Sequence, residues 1–157
     1  MISASNVYLV GPMGVGKTTV GRALAKSLGM DFIDSDARIE ERTGVSISTI
    51  FDIEGEGGFR EREAQMIFEL VQQKNIVLAT GGGAVTREDV RKAMRHNGLV
   101  IYLHATVDML VERTRSSKNR PLLNTSKEPR EVLETLMQER EPLYRAEADI
   151  VFETDAR

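Results

Sequence analysis

Gly11-Pro12-Met13-Gly14-Val15-Gly16-Lys17-Thr18 fits the pattern G-x-x-x-x-G-K-[ST], and it follows the apolar run Asn6-Val7-Tyr8-Leu9-Val10. A strand, then this turn, then a helix is the context in which the pattern is a phosphate-binding loop. Its glycines let successive backbone N–H groups turn inward on phosphate oxygens, and the helix N-terminus adds partial positive charge. Lys17 is then expected to reach the β and γ phosphates of a nucleotide, and the Thr18 hydroxyl to take a position on Mg²⁺. The competing reading is a glycine-rich turn that only caps a structural helix.

Working outward, the helix after the loop is expected to bury a face of Val20, Ala23, Leu24, Ser27 and Leu28 and to stop at Gly29. Phe32-Ile33 reads as a second strand, ending at Asp34-Ser35-Asp36. Helical patterns cover about 37–43 and 46–51. A glycine-rich acidic turn, Glu54-Gly55-Glu56-Gly57-Gly58, then leads to a helix near 60–73 that buries Met66, Ile67, Leu70 and Val71. Ile76 to Thr80 is a third strand running into Gly81-Gly82-Gly83, and Thr86 with Asp89 forms a helix-start pair. Leu99 to Leu103 is a fourth strand, Thr106 opens a helix to about Arg115, and residues 116–127 read as a polar, basic loop interrupted by Pro121. A final helix spans Pro129 to Tyr144, with a bend expected near Pro142, and Ile150-Val151-Phe152 is a fifth strand. Strands alternating with helices predict an α/β fold, a parallel sheet with helices on both faces.

Composition narrows the function classes. The 157 residues suit one domain, 41% are hydrophobic and 29% charged, and the net charge of −3 argues against a surface that neutralises nucleic-acid phosphates. With no cysteine, disulfides, thiolate nucleophiles and Cys-ligated metals are ruled out. His96 and His104 are isolated and are given no role; Met66, Met94 and Met137 read as core filling. No basic residue precedes Lys17, and no apolar run approaches the roughly 20 residues of a membrane span. The expectation is a cytoplasmic chain with a small-molecule partner, neither nucleic acid nor membrane, and a monomer.

Asp34 and Asp36 stand where ligands of open α/β sheets bind, and alternate residues of an extended strand share a side. One carboxylate could hold a metal through water and the other accept a proton from an attacking hydroxyl. Alternatively, Asp34 or Ser35 merely caps the next helix. Gly81-Gly82-Gly83 is, taken alone, better read as a structural turn than as a ligand contact. Arg60 and Arg140 are candidate carboxylate clamps, because guanidinium binds such anions bidentately, though nothing local separates them from other arginines. The stretch Arg113 to Arg120 has four basic residues in eight, either a solvated charge run or a lid over phosphates.

Taken in order, Gly11 to Thr18, Asp34-Ser35-Asp36, Phe59-Arg60, Gly81-Gly82-Gly83, Arg120-Pro121-Leu122-Leu123 and Arg140-x-Pro142-Leu143-Tyr144 closely resemble the shikimate kinases, particularly the bacterial type-I enzymes. The resemblance runs over nearly the whole chain. It implies a three-layer P-loop kinase fold like that of nucleoside monophosphate kinases, with a five-stranded parallel sheet in the order 2-3-1-4-5. The implied domain spans 1–157, with a substrate-binding region at about 34–62 and a lid at about 115–128. The implied reaction takes ATP and shikimate to ADP and shikimate 3-phosphate, a step of chorismate and aromatic amino-acid synthesis, with Mg²⁺ required.

Carried over by resemblance, Gly11, Gly14, Val15, Gly16, Lys17, Thr18 and Thr19 would contact the nucleotide, and Thr18 and Asp34 the metal. Asp36 would bind the shikimate hydroxyls and act as base. Arg60 and Arg140 would hold the substrate carboxylate, Glu63 would orient Arg60, and Gly81, Gly82 and Gly83 would offer backbone contacts. Arg113 would lie near adenine; Lys17 and the lid residue Arg120 would act on the transferring phosphate. This reverses the structural-turn reading of the glycines. Family members usually continue into another helix where this sequence ends at Thr154-Asp155-Ala156-Arg157, so that either the sequence is truncated or the terminus is shortened; by resemblance the further helix would lie near the adenine side, bearing on nucleotide affinity and stability more than on shikimate recognition. Another small-molecule kinase of this fold, such as a gluconate or nucleoside monophosphate kinase, would not need Asp36, Arg60 and Arg140 together. A non-catalytic nucleotide sensor would need no base on the acceptor side.

Overall fold

The computed structural model describes residues 6–114 and 128–154. Five short strands, β1 (Val7–Val10), β2 (Asp31–Asp34), β3 (Ile76–Ala79), β4 (Leu99–His104) and β5 (Ile150–Glu153), form one sheet in the order β2-β3-β1-β4-β5. Every pairing is parallel, with Leu9 opposite both Ala79 and Ile101. The helices are α1 (Lys17–Leu28), α2 (Ser35–Thr43), α3 (Ile47–Leu70), α4 (Glu88–Asn97), α5 (Val107–Thr114) and α6 (Pro129–Glu147). The expected strand order and the layering are both observed. Among the described residues no helix is long and apolar enough to cross a membrane.

β1 and β3 are buried at every position because the sheet is covered on both faces, as continuous apolar strands require. Alternation along β1 sends Tyr8 and Val10 into one core, beneath α2, α3 and α4, and Val7 and Leu9 into the other, beneath α1 and α5. α6 contributes to both, through Tyr144 and Leu133 respectively.

Four local expectations need correction. The buried residues of α1 are Gly21 and Ala25; Val20 and Leu24 are half-buried, while Ala23, Ser27 and Leu28 are exposed. Small residues face the sheet because the helix lies so close that a Cβ on Gly21 would come within 2.4 Å of Phe32. Val20, Ala23 and Leu24 line an apolar groove with Ile150 and Phe152 instead. The turn expected at 54–58 reduces to one residue: Gly55, at φ 74° and ψ 178°, interrupts α3, which is helical on either side. This break brings the Phe51 and Phe59 rings to 5.0 Å. Thr86 does not start α4, since its hydroxyl donates to Gly83 O at 2.7 Å within a short 3-10 turn (Ala84–Thr86), and Arg87 is the N-cap residue. Asp36 lies in the first turn of α2 rather than on an extended strand, so strand alternation does not orient it.

Other boundary signals act as read. Gly29 ends α1 in the left-handed conformation, and Thr106 Oγ1 accepts from Met109 N at the start of α5. Met66 and Met94 are buried and Met137 packs against both cores. The end of α6 differs from the reading: Pro142 lies inside the helix without ending it, and the helix runs past the expected end at Tyr144 to Glu147.

Candidate active site

The carboxyl ends of β1, β2 and β3 open into one crevice, because neighbouring parallel strands end at the same level and their following loops meet there. After β1 the chain turns through the glycine-rich loop and enters α1 from Gly16, whose φ of 101° no side-chain-bearing residue adopts readily. Lys17 folds back so that its Nζ donates to Gly11 O at 2.6 Å and Pro12 O at 2.9 Å. Lys17, Thr18 and Thr19 line a cavity of ≈ 340 Å³ together with Gly14, Gly16 and Arg113. Val15 is buried, and its carbonyl accepts from Arg113 Nη1 at 2.9 Å, which fixes that guanidinium beside the loop.

Asp34, at the end of β2, is the cap of the next helix, one of the two readings of its position. Its Oδ1 caps α2 by accepting from Asp36 N at 2.9 Å and Ala37 N at 3.1 Å, while Oδ2 accepts from Thr18 Oγ1 at 3.0 Å. A hydroxyl and a carboxylate at that spacing form a hard-oxygen donor pair of the kind Mg²⁺ accepts when water and phosphates complete its shell. Among the described residues no cluster of three or more His, Asp or Glu could form an all-protein metal cage.

A second cavity, of ≈ 280 Å³, is lined by Arg60, Glu63 and Arg140 beside Gly81, Gly82 and Gly83. Arg60 follows Phe59 on α3, and its Nη1 donates to Glu63 Oε1 at 2.7 Å, one turn along the same helix face. Arg140 comes from α6, 6% exposed in its side chain. Glu56 Oε2 lies 3.4 Å from Arg60 Nη2 and 4.0 Å from Arg140 Nη2, so one carboxylate already spans the two guanidiniums. Buried Asp36 Oδ1, Arg60 Nε and Glu63 Oε2 have no hydrogen-bond partner, an unusual concentration of unsatisfied polar atoms in one place.

The triple glycine is required by proximity rather than by backbone angle, since none of the three has positive φ. A Cβ on Gly81 would lie 2.4 Å from Glu63 Oε2 and 3.0 Å from Asp36 Oδ1; on Gly83 it would lie 2.2 Å from Arg60 Nη2. The glycines also form a turn, with Gly81 O accepting from Ala84 N at 3.1 Å. The segment is therefore a turn, as its residues alone suggest, and one whose lack of side chains admits Glu63, Asp36 and Arg60.

Asp36 lines both cavities, as do Met13 and Asp34, and of the two carboxylates it is the buried one, whereas Asp34 is taken up with capping α2 and holding Thr18. Burial, reinforced by the charges of Glu63 and Asp34, pushes its carboxyl up to about 7, against the opposing pull of Lys17 and Arg60. Glu63 is raised as well, burial outweighing its pairing with Arg60. A carboxyl with that value titrates where a general base works best.

Arg120, and all of the lid expected at about 115–128 except its last residue, lie outside the described residues. Sequence reasoning gave no role to Glu56 or to Tyr144. The usable signal was spacing: Glu56 and Arg60, like Arg140 and Tyr144, are four residues apart on one helix face.

The sequence profile of the family described as shikimate kinase matches residues 13–157. A shikimate kinase of Haemophilus influenzae (strain PittEE) is 56% identical over 155 residues, covering 99% of this chain and 86% of the relative. One from Chromobacterium violaceum is 59% identical over 151 residues, covering 96% and 82%. Among solved structures, shikimate kinase from Acinetobacter baumannii in complex with shikimate superposes with a TM-score of 0.94 at 49% identity, covering 97% of this chain and 84% of that one. Sequence, fold and the arrangement of the crevice agree, and the chain belongs to the shikimate kinase family.

Proposed function

We propose that this chain transfers the γ-phosphoryl group of ATP to the 3-hydroxyl of shikimate, giving ADP and shikimate 3-phosphate for aromatic amino-acid synthesis. The observation that carries this reading is Asp36, which lines the phosphate-binding cavity on one side and the arginine pocket on the other.

The acceptor's carboxylate binds Arg60 and Arg140, displacing Glu56 from between them. Glu63 holds Arg60 in place, and Gly81, Gly82 and Gly83 let the ring approach backbone. So anchored, the ring presents a hydroxyl to Asp36. Asp36 takes the hydroxyl proton as the oxygen forms its bond to the γ-phosphorus, and the bond from that phosphorus to the bridging oxygen breaks, leaving ADP. Backbone N–H groups from Gly14 to Thr19 and the Lys17 ammonium bind the phosphates, and Arg113 borders the base side of the nucleotide. Thr18 and Asp34 would hold Mg²⁺, Asp34 through water; the ion supplies charge neutralisation on the phosphates. No covalent nucleophile is needed, since positioning and charge stabilisation carry phosphoryl transfer.

Phosphorus NMR of the product made from Mg-ATP and shikimate tests the reading. A phosphate ester coupled to the proton on C3 is expected. An ester at another hydroxyl, or inorganic phosphate alone, would contradict it.

A further inference from the structure

Arg140 and Gly82 line the same pocket but come from α6 and from the loop after β3, 58 positions apart in the chain. Their relative placement is not set by local backbone, so some group must join them. Tyr144 is that group. Its hydroxyl donates to Gly82 O at 2.6 Å, and the Arg140 guanidinium, one turn earlier on α6, lies near enough to pull against the rise in its pKa and within 3.5 Å of where a Cβ on Gly82 would stand. A phenol has one proton to give and lone pairs to receive, so with the proton committed to Gly82 O the oxygen can offer a guanidinium only its lone pairs.

The ring itself is held. Tyr144 is 1% exposed and stacks on Tyr102, with centroids 5.0 Å apart and planes inclined by 25°. Tyr102 in turn donates to Glu141, and the Arg145 guanidinium lies over its ring, 5.7 Å from the centroid. With its ring clamped, the Tyr144 hydroxyl occupies one point, and both partners are referenced to it. Burial pushes the Tyr144 hydroxyl up to about 12, so it remains a donor throughout the working pH range.

We infer that Tyr144 is a positioning residue for acceptor binding, its hydroxyl fixing the Arg140 guanidinium against the Gly82 carbonyl so that the pocket meets a carboxylate in one geometry. The inference rests on the reading above, in which Arg140 binds the acceptor's carboxylate. Its specificity follows from the geometry: the bond lost with the hydroxyl is the one to Gly82 O beside Arg140, whereas Lys17 is held by Gly11 O and Pro12 O and Thr18 by Asp34, bonds in which Tyr144 has no part.

Tyr144→Phe keeps the ring and removes the hydroxyl. The expected result is a shikimate KM raised about ten-fold, with kcat and the KM for ATP within about two-fold. The same comparison with an analogue carrying a hydroxymethyl group in place of the carboxylate should show no difference between variant and parent. On an Arg140→Ala background, Tyr144→Phe should add nothing further.

An unchanged shikimate KM in Tyr144→Phe, with Arg140→Ala raising it, would overturn the inference and leave the carboxylate reading standing. Equal losses for the acid and the hydroxymethyl analogue would overturn it too, because a purely structural role does not discriminate them. If Arg140→Ala itself leaves the KM for shikimate unchanged, the carboxylate reading fails and the inference with it.

A measurement on the unsubstituted side-chain framework does not depend on the variant's stability. The chain has three tyrosines, so 3-fluorotyrosine labelling gives three fluorine signals. The Tyr144 signal, assigned by elimination with Tyr8→Phe and Tyr102→Phe, should shift on saturation with shikimate and stay in place with the hydroxymethyl analogue. No shift with shikimate would overturn the inference.

Discussion

Arg60 Nη1 donates to Glu63 Oε1 at 2.7 Å, and the glutamate side of this pair is almost wholly buried. The two residues are one turn apart on the part of α3 that follows the break at Gly55, so the kink and the ion pair together aim one guanidinium into the pocket. Replacing Glu63 by Gln removes the charge that holds Arg60 while keeping volume. We expect a shikimate KM about ten-fold higher, with the KM for ATP unchanged. Steady-state kinetics check this; an unchanged KM for shikimate would remove Glu63 from acceptor binding.

Asp36 connects activity to pH. Its carboxyl sits near 7 in the folded protein, chiefly through burial and secondarily through Glu63 and Asp34. As a base it must be ionised, so kcat/KM for shikimate should rise with pH and reach half its plateau near 7.

The same shift has the opposite sign for stability. The folded state keeps the proton up to about pH 7, whereas the unfolded chain releases it near 4, so folding stability falls as pH rises between those values. The cost is at most roughly 4 kcal/mol. Asp36→Asn should therefore lose most turnover, retain ATP binding and be more stable than the parent at pH 8 but not at pH 5. Thermal unfolding at the two pH values decides this, and near-parental turnover of the variant would exclude Asp36 as the base.

The Thr18–Asp34 contact predicts a metal phenotype separable from folding. Asn is a good N-cap, so Asp34→Asn should preserve the start of α2 and change stability by less than about 1 kcal/mol. The Mg²⁺ concentration for half-maximal activity should nevertheless rise about ten-fold in Asp34→Asn and in Thr18→Ala. A magnesium titration of the initial rate is the check; identical curves for parent and both variants would count against this metal site.

Gly83→Ala tests whether the triple glycine exists to admit an arginine. The added methyl would sit 2.2 Å from Arg60 Nη2, and the flexible end of that side chain would have to move. The expected outcome is a rise of about ten-fold in shikimate KM with the KM for ATP unchanged. Equal effects on both substrates would show a general disturbance of the crevice instead.

The legible parts of this molecule were those with local chemistry. The loop from Gly11 to Thr18 declares itself by residue type and spacing, and β1 and β3 by uninterrupted apolar runs. The buried face of α1 was misjudged because close approach to the sheet selects Gly21 and Ala25, and smallness carries no hydrophobic signal. Strand alternation does not orient Asp36 because the chain turns into α2 immediately at Ser35, with Asp34 capping it. Arg60 and Arg140 look like any other arginines until the fold sets them on either side of Glu56. Their reading came from family resemblance, whereas the joint at Tyr144 depends on partners 42 and 62 positions away, beyond any local pattern.

ADP release from Mg-ATP, followed with shikimate and with quinate and gluconate as controls, addresses the central claim most directly. ADP formation that depends on shikimate, and is at background with both controls, is the expected result. ADP formation at equal rates with gluconate, or none with shikimate while ATP still binds, would contradict the assignment of shikimate as the acceptor.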